Sequence, residues 1–188
     1  MSRCSRAVPL LLITVLAAAL SIGMGGSGTS RREAPPSKRL NGVTLPDAKL
    51  SLTFPFNWYA TTRHLDYVLD PHTLVAVASY VIPGGPAANC DGTRARGRPA
   101  DGAFVLIKEV LDGASLTRSL PRLPTRPRTF HIPTGGRAGC LPPNSTVFQF
   151  RVARRAFYVF VSVGPRATVA TRHAVQRMLN TMTIAPRR

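Results

Sequence analysis

The sequence predicts an α+β domain: a mostly antiparallel sheet of about five to seven strands with a C-terminal helix packed on one face. Three observations predict it. Thr146–Val152 and Phe157–Val163 alternate on either side of a short basic turn; an apolar stripe at Val175, Met178, Leu179 and Met182 has the helical spacing; and Leu74–Ile82 and Ala103–Leu111 are apolar runs of strand length.

The chain of 188 residues with 44% hydrophobic residues supports one domain behind a leader. Its formal charge is +17, carried by 22 Arg and 3 Lys against 8 acidic residues. Such a field favours anionic partners without choosing among them.

Residues 1–28 carry Arg3 and Arg6 ahead of an apolar run from Val8 to Met24, the pattern of a cleaved signal peptide or an N-terminal membrane anchor. Cys4 precedes the run, which disfavours a lipoprotein signal. Residues 29–42 read as a flexible linker, and residues 43–188 as the single α+β domain. The expected location is therefore outside the cytoplasmic membrane, secreted or anchored to its outer face.

Within the domain, Lys49–Phe54 alternates and is expected to be the first strand, with Leu50, Leu52 and Phe54 inward and Pro55 ending it. Phe56-Asn57-Trp58-Tyr59 is an aromatic turn, read as a core cluster or as a ligand platform. The two apolar runs belong in the middle of a sheet covered on both sides. Asp101-Gly102 reads as turn chemistry ahead of the second run. Pro121, Pro124 and Pro127 fit an extended surface path, and Thr129–Ile132 a short edge strand.

A two-residue turn at Arg154-Arg155 pairs Phe148 with Val161, Phe150 with Val159 and Val152 with Phe157, making one face wholly apolar. The other face, Val147, Gln149, Arg151, Tyr158, Phe160 and Ser162, is half polar. A helix from about Thr168 to Thr181 follows, with the Thr168 hydroxyl as its N-cap. Its apolar stripe needs a partner, and the apolar hairpin face is the nearest.

Cys90 and Cys140 are the cysteines of the expected exported part, each in a loop, and in an oxidising compartment they are expected to form a disulfide. The bridge would stabilise the domain by roughly 4 kcal/mol through chain entropy. A free catalytic thiol is the alternative.

No Gly-x-Ser-x-Gly elbow, His-Glu-x-x-His, phosphate loop or dinucleotide fingerprint occurs. No catalytic residue, metal site or cofactor is therefore assigned. The densest polar constellation is His64, Asp66, Asp70 and His72, a solvated loop or the site of a hydrolase or transferase. The arginine loops supply the expected anion-binding residues: Arg94, Arg96 and Arg98 in one, Arg122, Arg126 and Arg128, with Arg118, in the other. They lack the aromatic interleaving of nucleic-acid readers, so nucleic acid is not the expected partner. The expectation is a non-enzymatic basic module for an anionic envelope polymer or anionic membrane surface. Scaffolding of another envelope protein through Gln149, Arg151 and Tyr158 is the further alternative.

Phe54-Pro55-Phe56-Asn57-Trp58, Asp70-Pro71 before Leu74–Tyr80, Pro99–Ala103, and the hairpin with its terminal helix resemble a group of small exported proteins of high-GC actinobacteria over about Leu50 to Ile184. The order of elements is also weakly similar to PsbP- and Mog1-like domains. The resemblance implies a small exported α+β domain and carries over no activity or catalytic residue.

Overall fold

The computed structural model describes residues 40–65, 69–83, 97–112, 116–118, 120–136 and 141–186. The expected leader, most of the linker, Asp66, Cys90, Arg94, Arg96 and Cys140 lie outside them. The strands are β1 Leu40–Leu45, β2 Leu50–Pro55, β3 Tyr59–Thr61, β4 His72–Ala78, β5 Ala103–Val110, β6 Ser145–Val152, β7 Arg155–Val163 and β8 Thr183–Ile184. The helix, α1, spans Val169–Thr181. Its strands form two antiparallel sheets, β1-β2-β8 and β3-β4-β5-β7-β6, so the fold is α+β with its C-terminal helix on the sheet.

β5 is buried along all 8 of its residues because both faces of the larger sheet are covered. On one face Val75, Val77, Val105, Ile107, Val159 and Val161 meet α1 and the inward Leu50, Leu52 and Phe54 of β2. On the other, Ala76, Ala78, Phe104 and Leu106 are roofed by Leu65 and Leu141 from loops. α1 supplies Val175, Met178 and Leu179, each 1% exposed or less and each worth roughly 1.5–3 kcal/mol of burial. Thr168 caps it as expected, Oγ1 accepting from Thr171 N at 3.1 Å.

The hairpin corrects the expected register. The turn is Ala153-Arg154, and Phe148 pairs with Val159, Phe150 with Phe157 and Val152 with Arg155. The shift is by two, so each side chain keeps its face. Its cause is Arg155, which sits in the strand rather than the turn. Arg155 Nε donates to Glu109 Oε1 at 2.7 Å and Nη2 to Oε2 at 2.9 Å. Nη2 also donates to the Ala48 carbonyl at 2.6 Å and Nη1 to that of Ala185 at 2.7 Å. One buried guanidinium thereby ties β5 and β7 to the chain entering β2 and leaving β8. Ala153 takes up the strain of this turn at φ 51°.

Two further expectations change. Thr129–Ile132 is not a strand: Phe130, fully buried, packs edge-on against Phe148 and Phe150, and its N–H donates to Asn180 Oδ1 at 2.8 Å. The Pro-rich path makes a 3-10 turn at Leu120–Arg122, then lies along the edge of β6, where Arg126 N donates to Arg151 O and Arg151 N to Pro124 O. β1 begins at Leu40, inside the stretch read as linker.

Candidate functional site

Arg98 follows Gly97 and leads into a turn closed by Gly102 N donating to Pro99 O at 2.9 Å. This confirms Asp101-Gly102 as turn chemistry. The turn is bolted to the end of β7: Gly164 N donates to Gly102 O and Arg166 N to Ala100 O, both at 2.8 Å. The approach is so close that a Cβ on Gly164 would stand 2.0 Å from Ala100 O and 3.0 Å from Arg98 Nη1. Only glycine fits there.

From the other side, the first turn of α1 brings Arg172, whose Nη2 lies 3.4 Å from Gly164 O. Two guanidinium groups thus meet at Gly164. Nε and Nη1 of Arg98 and Nη1 of Arg172 are shielded from solvent and have no hydrogen-bond partner among the described residues. Burial, opposed by Tyr80 and reinforced by the Arg172 charge, holds the Arg98 guanidinium below the usual arginine range. The first turn of α1 contains no acidic residue, so the positive end of the helix dipole adds to the two charges. Buried charged donors without partners are costly, and a negatively charged oxygen is the group that satisfies them.

The second arginine loop serves otherwise. Arg126 Nη2 caps the far end of α1, donating to the carbonyls of Met182 at 2.9 Å, Leu179 at 3.0 Å and Asn180 at 3.4 Å. Its guanidinium lies 5.2 Å from the Phe130 ring centroid, and burial lowers its pKa. Arg122 and Arg128 are exposed on either side. A 13-residue helix is about 20 Å long, so Arg98 and Arg126 stand at opposite ends of it. The structure brings Arg98 together with Arg172 of α1 instead.

His64 and His72 do meet, rings edge to face at 4.6 Å. Asp70 is directed elsewhere: Oδ1 accepts from Leu111 N at 2.7 Å and Oδ2 from Asp112 N at 3.3 Å, fixing the chain beyond β5. No group of three metal-ligating side chains occurs among the described residues. On the half-polar hairpin face, Val147 and Phe160 pack against the second core cluster. The large exposed apolar side chains lie elsewhere, Leu40 and Phe56 among them.

Compared with protein-family models, curated proteins and solved structures, the chain matches none.

Proposed function

We propose that this domain is a non-catalytic binding module whose partner presents a carboxylate or phosphate oxyanion to Arg98 and Arg172. The observation that supports it is the meeting of two guanidinium groups at Gly164, which together carry three shielded donors with no partner among the described residues. Two forked guanidiniums suit an oxyanion better than a point cation would, because each offers parallel donors to two oxygens. The net charge of +17 raises the local concentration of such partners. With the apolar N-terminal run, the reading is an exported or anchored envelope protein whose oxyanion comes from an anionic polymer or an anionic lipid surface.

The test is binding of the full chain to poly(glycerol phosphate) and, separately, to phosphatidylglycerol vesicles, at low and high salt. Saturable, salt-sensitive binding to either, weakened in Arg98→Gln and Arg172→Gln, supports the reading, and the stronger arm identifies the source. Equal binding by wild type and both variants would refute it.

A further inference from the structure

A groove of about 370 Å³ lies on the other flank of α1, away from Arg172. One wall is Leu40, Phe56 and Trp58; the other is Ala170 and Ala174, whose small side chains leave the space open. Leu40 is 61% exposed and Phe56 59%, and the two line one groove rather than standing singly. Neither hangs on a loose loop. Trp58 N donates to Pro55 O at 3.0 Å, closing the turn, and Asn41 Nδ2 donates to Phe56 O at 3.0 Å, pinning that turn to β1. The apolar wall is thus preformed.

Arg177 stands one helical turn beyond Ala174 and lines the same groove. Among the described residues it makes no hydrogen bond or ion pair, and none of those that line the groove is acidic. The volume falls within the range of about 300–1,000 Å³ usual for small-molecule sites, which combine apolar walls with a few orienting polar groups. We infer that this groove binds a single-chain anionic amphiphile, its alkyl tail along Leu40, Phe56, Trp58 and the two alanines and its anionic head on Arg177. Charge complementarity selects the head; the walls are mainly apolar, with Asn57 and Thr171 as their polar members, and this selects an alkyl tail over a wholly polar ligand. The site shares no residue with Arg98 and Arg172, so either reading stands without the other.

Trp58 is the chain's only tryptophan and reports on the groove directly. The full chain is titrated with hexanoate, octanoate and decanoate, with brominated decanoate as quencher, and with decyltrimethylammonium as the cationic counterpart, each below its micelle concentration. The expected result is saturable change in Trp58 emission, affinity rising about fourfold per methylene until the groove is filled. Decanoate is expected to bind at least tenfold more tightly than decyltrimethylammonium, and Arg177→Glu to reverse that order. Phe56→Ser, at an exposed position, is expected to weaken decanoate binding at least fivefold with an unchanged far-UV spectrum. Absence of saturable emission change, equal affinity for both headgroups, or decanoate binding unaltered in Phe56→Ser would overturn the inference.

Discussion

Replacing Arg155 by Met removes the guanidinium that joins the two sheets while keeping an apolar chain of similar length against Phe157. Glu109, 1% exposed, would lose both bonds of its bidentate partner, and the carbonyls of Ala48 and Ala185 would each lose a donor. Breaking a buried ion pair from one side costs about 3–5 kcal/mol, because the remaining charge stays desolvated. The carbonyls add to this, though not independently. Against a total stability of roughly 5–15 kcal/mol for a domain of this size, the loss is a large fraction. Urea unfolding followed by Trp58 emission and far-UV circular dichroism measures it, with an unchanged slope showing that the unfolded reference is the same. The double variant Arg155→Met, Glu109→Leu removes both charges and is expected to recover at least about 2 kcal/mol of the loss. A single variant that loses less than about 1 kcal/mol, or a double variant no more stable than the single, would refute the assignment of Arg155 as the tie between the sheets.

Arg126→Ala is expected to cost about 1–2 kcal/mol and to speed amide exchange in the last turn of α1, since three carbonyls there lose a charged donor. Ala153→Gly is expected to raise stability by up to about 1 kcal/mol, read as a higher unfolding midpoint, because the turn holds this residue at φ 51°. Gly164→Ala drives a Cβ onto Ala100 O and is expected to cost about 1–3 kcal/mol in chemical denaturation while weakening oxyanion binding through the displaced Arg98. Arg172→Gln is expected to stabilise the free protein by about 0.3–1 kcal/mol, since it removes a cation from the positive end of α1 beside Arg98; a fall in the thermal midpoint would show that Arg172 is a structural residue.

What was legible in the sequence is what short-range periodicity encodes. The helix, its Thr168 cap and its buried stripe, the inward face of β2, and the two faces of the hairpin all follow from spacing over a few residues. The hairpin register did not, because it depends on Glu109, 46 residues before Arg155. Arg154-Arg155 looked like a turn since nothing local marks one of two adjacent arginines for burial. β1 was hidden because Leu40–Leu45 carries an Asn and a Gly and, among the described residues, pairs with β2 alone. Phe130 had strand-like neighbours, but its amide is taken by Asn180 from α1. Of the site, Arg98 was legible as part of an arginine-rich loop. Arg172 was not, and the one available signal was Gly164, a glycine ending a β-rich run that made sense only once Ala100 was seen against it.

The most direct test is a double-mutant cycle on Arg98 and Arg172, titrating wild type, Arg98→Gln, Arg172→Gln and the double variant with poly(glycerol phosphate) at fixed low salt. Charge-assisted hydrogen bonds are worth about 1.5–3 kcal/mol, so each single variant is expected to bind roughly 10- to 150-fold more weakly. The double variant is expected to lose less than the product of the two, because both guanidiniums grip one anion. Strictly multiplicative losses would place the two arginines on separate anions, and unchanged affinity in all three variants would contradict an oxyanion site at Gly164.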